Sequence, residues 1–135
     1  MNIQKMFDQA VGGIVKQGCQ STGDWGDGDD DTNGCMYRGP NGTKCAIGHV
    51  ITDEFYSEKL EGLSLSDSTL REALDNSLAC RMPRGWLNLL SGLQSVHDNP
   101  DLGSLTGKEF VSMFLAKANI LAEQFYLTPY VGSNE

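Results

Sequence analysis

The chain has 135 residues, 39% hydrophobic and 21% charged, enough for one domain with a modest core. Eighteen carboxylates against ten Lys and Arg give a formal charge of −8. That sign argues against direct nucleic-acid binding and against an anionic membrane surface, because both need clustered cations. It permits a basic protein partner, a cation, or plain solubility.

The start MNIQKMFDQAVGGIVKQG carries Lys5, Asp8 and Lys16 and no unbroken apolar run, so no secretory leader is expected. No stretch reaches membrane-spanning length. The expected compartment is the cytosol, where Cys19, Cys35, Cys45 and Cys80 are thiols rather than disulfides.

Residues 2–17 read as an amphipathic helix, with Ile3, Met6, Phe7, Ala10, Val11, Ile14 and Val15 on one stripe. Asn2 can cap it and Gly18 can end it. Gly12 and Gly13 weaken it, by roughly 1 kcal/mol each relative to alanine, unless a neighbour packs closely there.

Residues 18–34 have no period and many breakers, and read as a loop. It carries Asp24, Asp27, Asp29, Asp30 and Asp31, with Trp25 either tucked onto the core or standing out as an anchor. A hairpin is expected next: Cys35–Arg38 and Thr43–Ala46 flank the turn Gly39-Pro40-Asn41-Gly42. So short a pair is unstable alone and must pack on helices or be held otherwise.

Ala46–Ile51 predicts a short helix, and Thr52 caps a turn through Asp53, Glu54, Phe55 and Tyr56. Glu61-Gly62 breaks the pattern. A helix over 67–80 turns Leu70, Ala73, Leu74 and Leu78 inward, and Pro83 opens another over 83–97, with Trp86, Leu87, Leu89, Leu90, Leu93 and Val96 apolar. Thr106 and Glu109 match a capping box. The last helix runs to about Tyr126, with Phe110, Met113, Phe114, Ala118, Leu121 and Phe125 inward. The expected fold is mainly α (α+β): about five helices around one short hairpin at about 35–46. It forms one globular domain, 1–127, with a flexible tail over 128–135.

Three chemistries suggest themselves. Cys45 and His49 stand four apart, on one face of a helical start, and Cys35 lies on the expected partner strand. With Cys19, Cys80 or His97 as a fourth ligand they suit zinc. Against that stand nine residues between Cys35 and Cys45 and no C-x-x-C, which favour small buried hydrophobes. Asp29-Asp30-Asp31-Thr32-Asn33-Gly34 fits the opening of a calcium loop, but Pro40 stands where the bidentate glutamate belongs, so a solvated acidic loop is the better reading. Cys45 as a nucleophile with His97 as base and Asp98 as orienter is the third. Adjacent residues on one helix point apart, and a histidine near a helix C-terminus is also explained by the dipole. No cofactor is expected from these patterns. Arg81, Arg84 and Trp86 make either a recognition patch or a core tryptophan beside solvated arginines.

The stretch Cys35-x-Tyr37-Arg38, then Gly42-Thr43-Lys44-Cys45-Ala46-Ile47-Gly48-His49-x-Ile51-x-Asp53, with Tyr56 and Glu61-Gly62, resembles a group of small uncharacterised proteins of bacteria and their bacteriophages. Leu93-Gln94-x-x-His97-Asp98 is similar to that group's second motif. The resemblance covers about half of the chain and omits the acidic loop. It implies a short accessory gene product in a bacterial cytosol, and no activity. If the hairpin packs on the end of the 83–97 helix, Tyr37, Arg38, Lys44, Cys45 and Asp53 meet Gln94, His97 and Asp98 in one polar pocket.

The leading expectation is a non-enzymatic accessory protein that binds and modulates a host protein, itself basic or nucleic-acid-binding. The surface would be Trp25, Asp27, Asp29, Asp30 and Asp31. A small-ligand or nucleotide-sequestering protein built on the pocket comes second. A zinc protein or cysteine enzyme using Cys35, Cys45, His49 and His97 comes third.

Overall fold

Asn2 accepts a hydrogen bond from the Lys5 N–H at 2.8 Å and so starts helix α1 (Ile3–Gln17), which Gly18 ends with a left-handed φ of 74°. Helices α2 (Ala46–Val50), α3 (Ser68–Leu78), α4 (Arg84–His97) and α5 (Gly107–Gln124) follow. Two 3-10 turns, Asp53–Phe55 and Glu58–Leu60, stand between α2 and α3. The computed structural model describes residues 2–19, 22–24, 33–35, 37–39, 42–98, 102 and 105–130, and only the backbone of 22–24 and 33–35.

The molecule is mainly helical, and the hairpin expected at 35–46 does not form. Its arms make one isolated bridge, Arg38 with Lys44, and the Gly39 N–H donates to the Thr43 carbonyl at 2.8 Å. The reason lies in where the other backbone donors go. The N–H groups of Tyr37 and Arg38 donate to the Glu61 carboxylate, and the Lys44 N–H donates to the Gln17 side chain. Donors used this way are lost to a strand ladder. A three-residue backbone pairing, Thr22–Asp24 with Asn33–Cys35, lies earlier, across the acidic loop. The helices are therefore not arranged around a hairpin. Instead, α2 sits against α1, α3 and α4, and α5 closes on α1 and α4.

Close approach of backbone explains three glycines. A Cβ on Gly13 would lie 2.4 Å from His49 Nδ1, and one on Gly12 3.1 Å from the Tyr130 hydroxyl. The glycine pair that weakens α1 as a helix lets α2 and the C-terminal segment pack on it. Gly48 is tighter, since its Cβ would fall 1.8 Å from the Tyr37 carbonyl oxygen.

Other local expectations change in context. Thr106 precedes α5 but makes no side-chain cap; the Gly107 N–H donates instead to the Gly18 carbonyl at 3.0 Å, joining the two helices. Thr52 likewise makes no side-chain cap; its N–H donates to Ser77 Oγ at 3.0 Å. Met113, expected inward, is exposed, while Phe110 and Phe114 stack inside with centroids 5.9 Å apart. The chain stays bound past residue 127. Thr128 N–H donates to Gln4 Oε1 at 2.8 Å and Tyr130 N–H to Asn119 Oδ1 at 2.9 Å. Residues 131–135 of the expected tail lie outside the described residues.

Gly48→Ala should destabilise the fold by about 3 kcal/mol, because the obstructing atom is backbone and cannot rotate away. Gly85→Ala, with nothing within 4 Å of its Cβ, should be neutral or gain up to about 1 kcal/mol. Urea unfolding of both variants checks the contrast.

Candidate functional site

The first motif folds around one carboxylate. Glu61 Oε1 accepts from the Tyr37 N–H at 2.9 Å. Its Oε2 accepts from the Arg38 N–H at 3.0 Å and from the Tyr56 hydroxyl at 2.7 Å. Gly62, with φ of 79°, supplies the left-handed turn directly after it. Tyr37 is buried and its hydroxyl donates to the Leu63 carbonyl.

The Arg38 guanidinium continues the network. Nη1 meets Asp53 Oδ1 at 2.6 Å, Nη2 donates to the Ile51 carbonyl at 3.0 Å, and the group lies 4.4 Å from the centroid of the Tyr56 ring. The arginine side chain is 21% exposed and Asp53 86% exposed. Arg38 Nε is buried and has no acceptor among the described residues. Burial, then the hydrogen bond to Glu61 and that carboxylate's charge, push the Tyr56 phenol up to about 12, with Arg38 opposing. Glu61 and Tyr56 were missing from the expected site. Their signal was present, since both stand in the same motif as Tyr37 and Arg38.

A second cluster forms at the α1–α2 contact. Gln17 Oε1 accepts from the Lys44 N–H at 2.7 Å and meets His49 Nε2 at 3.1 Å, while Gln17 Nε2 donates to the Cys19 carbonyl at 2.7 Å. Those partners set the amide orientation, so His49 Nε2 carries the proton. The His49 pKa falls to about 4, through burial first and then the charges of Lys44, His97 and Arg38. Gln17 was also missing from the expected site, and nothing in its sequence setting marked it.

The third cluster lies at the end of α4. His97 is fully buried, and its Nδ1 meets Asp98 Oδ1 at 3.0 Å. Gln94 Nε2 donates to the same oxygen at 3.1 Å. Neighbours in sequence were expected to point apart, yet Asp98 stands at the helix end, where its side chain folds back.

The two motifs are thus neighbours, since α2 packs on α4 and His97 acts electrostatically on His49. Among the described residues, no hydrogen bond joins the polar groups of the first motif to Gln94, His97 or Asp98. Cys45 is fully buried at the start of α2. Among the described residues, no three of His, Cys, Asp and Glu come together as a metal would need. The side chain of Cys35, and Trp25, Asp27, Asp29, Asp30 and Asp31 with the calcium-like stretch, lie outside the described residues. Trp86 packs against the core, with Arg81 and Arg84 exposed beside it.

Hollows occur elsewhere. One of about 330 Å³ runs between the Asp53–Phe55 turn and α3, lined by Glu54, Phe55, Tyr56, Leu60, Thr69 and Glu72 among others. Another lies on the outer side of α5. No helix is long and apolar enough to cross a membrane among the described residues. The chain matches no protein-family model, no curated protein and no solved structure.

Two outcomes follow from the clusters. Glu61→Ala strands two backbone donors and should cost about 2–4 kcal/mol in urea unfolding, with Glu61→Gln costing less. His49 stays neutral down to about pH 4 when folded but takes a proton near 6.5 when unfolded. The unfolded state therefore binds more protons in that window, and stability should fall as pH drops from about 6.5 toward 4. His49→Gln, which keeps an N–H for Gln17, should flatten the upper part of that slope.

Proposed function

We propose that this chain is a small non-enzymatic binding protein that recognises a basic protein partner and modulates it by covering cationic surface. The groove between the Asp53–Phe55 turn and α3 carries this reading. Residues 53–75 hold seven carboxylates (Asp53, Glu54, Glu58, Glu61, Asp67, Glu72 and Asp75) against Lys59 and Arg71. Glu54 and Glu72 are exposed and line the groove with Phe55, Tyr56 and Leu60. A lysine or arginine side chain suits that lining, its stem on the apolar residues and its head between the carboxylates.

The polar side chains of both motifs support the same reading from the other direction. Arg38, Tyr37 and His49 are engaged in internal hydrogen bonds, and His97 and Cys45 are buried. A nucleophile or base must reach its substrate, and such placement does not favour that. The motif resemblance supplies the setting, an accessory protein of a bacterium or its phage acting in the cytosol. The carboxylates of the 24–31 loop would add to the same field.

Exposed ion pairs are worth at most about 1 kcal/mol each, so several must act together and binding must weaken with salt. The test is fluorescence anisotropy with a labelled arginine- and lysine-rich peptide, at low salt and at about 0.3 M. Glu54→Gln with Glu72→Gln should weaken binding about tenfold, whereas Glu123→Gln on α5 should leave it unchanged. Equal loss in both variants would reduce the interaction to net charge and remove the groove; absence of binding at low salt would remove the function.

A further inference from the structure

We infer that the outer face of α5 is a self-association surface, on which two copies of this chain pair their α5 helices antiparallel about Met113. This face lies on other elements than the acidic groove. Met113 is 37% and Ile120 60% exposed, two of the three exposed large hydrophobic residues among those described. With Leu105 and Ala116 they line a shallow hollow of about 760 Å³. Glu109, Met113, Ala116 and Ile120 follow one another at spacings of four, three and four, so they form one stripe along the helix. The opposite stripe, Phe110, Phe114, Ala118 and Ala122, is buried in the core.

Charge selects the occupant. Two chains of formal charge −8 repel, and they approach most easily where charge is balanced. On α5, Lys108 and Lys117 match Glu109 and Glu123, whereas 53–75 is strongly acidic. The order of groups along the stripe is also self-complementary. Glu109 and Lys117 each stand four residues from Met113. An antiparallel pair centred on Met113 sets Glu109 of each copy opposite Lys117 of the other. Ile120 lies seven residues after Met113, so each copy's Ile120 reaches toward the start of the other's α5, where Leu105 lines the same hollow. A two-fold contact requires this reciprocity. Ala116, near the centre, lets the axes approach to about 8–9 Å. One helix pair buries at most about 1,200 Å², so the dimer should be weak, with a Kd on the order of tens of micromolar.

Sedimentation equilibrium from about 1 to 500 µM tests this, because such a range brackets a Kd of that order. The mass should rise from the 14.7 kDa chain toward twice that value. Ile120→Glu should stay monomeric, with an unchanged circular dichroism spectrum. Glu109→Lys alone and Lys117→Glu alone each put like charges face to face at both ends and should weaken association at least about tenfold. Mixing those two variants brings opposite charges together again and should restore the dimer. A chain that stays monomeric at the highest concentration, or an Ile120→Glu variant that associates like the parent, overturns the inference. Failure of the mixture to recover overturns the antiparallel register.

Discussion

The structure depends most on the Glu61 carboxylate. It accepts the N–H groups of two successive residues, Tyr37 and Arg38, and a phenol from Tyr56. An ionised carboxylate is a stronger acceptor than a carbonyl of an opposing strand, so it wins those donors. The consequence runs through the core. The Tyr37 carbonyl lies close against Gly48 of α2, and α2 seats against α1 and α4. The guanidinium of Arg38 is brought over the Tyr56 ring and onto Asp53. A segment that would otherwise be a marginal hairpin becomes a strap tied down by side chains.

The same strap draws most of the first motif into internal contacts. Tyr37, Arg38, Gly48, His49, Asp53, Tyr56 and Glu61 all take part in contacts that hold the fold. In this chain those side chains and backbone groups are engaged in the fold itself. His49 shows the cost of that use: enclosed against Gly13 and close to Lys44, it is kept neutral well below its ordinary pKa.

Two surfaces stand on opposite terms electrostatically. The groove beside α3 concentrates carboxylates around an aromatic floor and suits a cation. The outer face of α5 balances its charges around an apolar stripe and suits a copy of itself. A weak dimer would present two acidic grooves at once. For a salt-sensitive contact made of small increments, that pairing raises the effective affinity without any new contact.

Helices were legible from local chemistry. Apolar spacing placed α1, α3, α4 and α5 within a few residues, with Asn2, Gly18 and Pro83 at their ends. Excess carboxylate was legible as a formal charge of −8, which permits a basic partner, a cation or plain solubility. Pairing was not. The Gly39-Pro40-Asn41-Gly42 signal is a local one, whereas the acceptors that captured Tyr37, Arg38 and Lys44 are more than twenty residues away. Met113 was misplaced for a related reason: periodicity marks an apolar residue without saying which side has a neighbour, and α5 is apolar over more of its circumference than the core can cover. Chain-local forces, propensity and capping, therefore specified which segments coil. Long-range competition for hydrogen-bond donors and for close backbone contact at Gly13 and Gly48 specified how they assemble, and which polar groups stayed available at the surface.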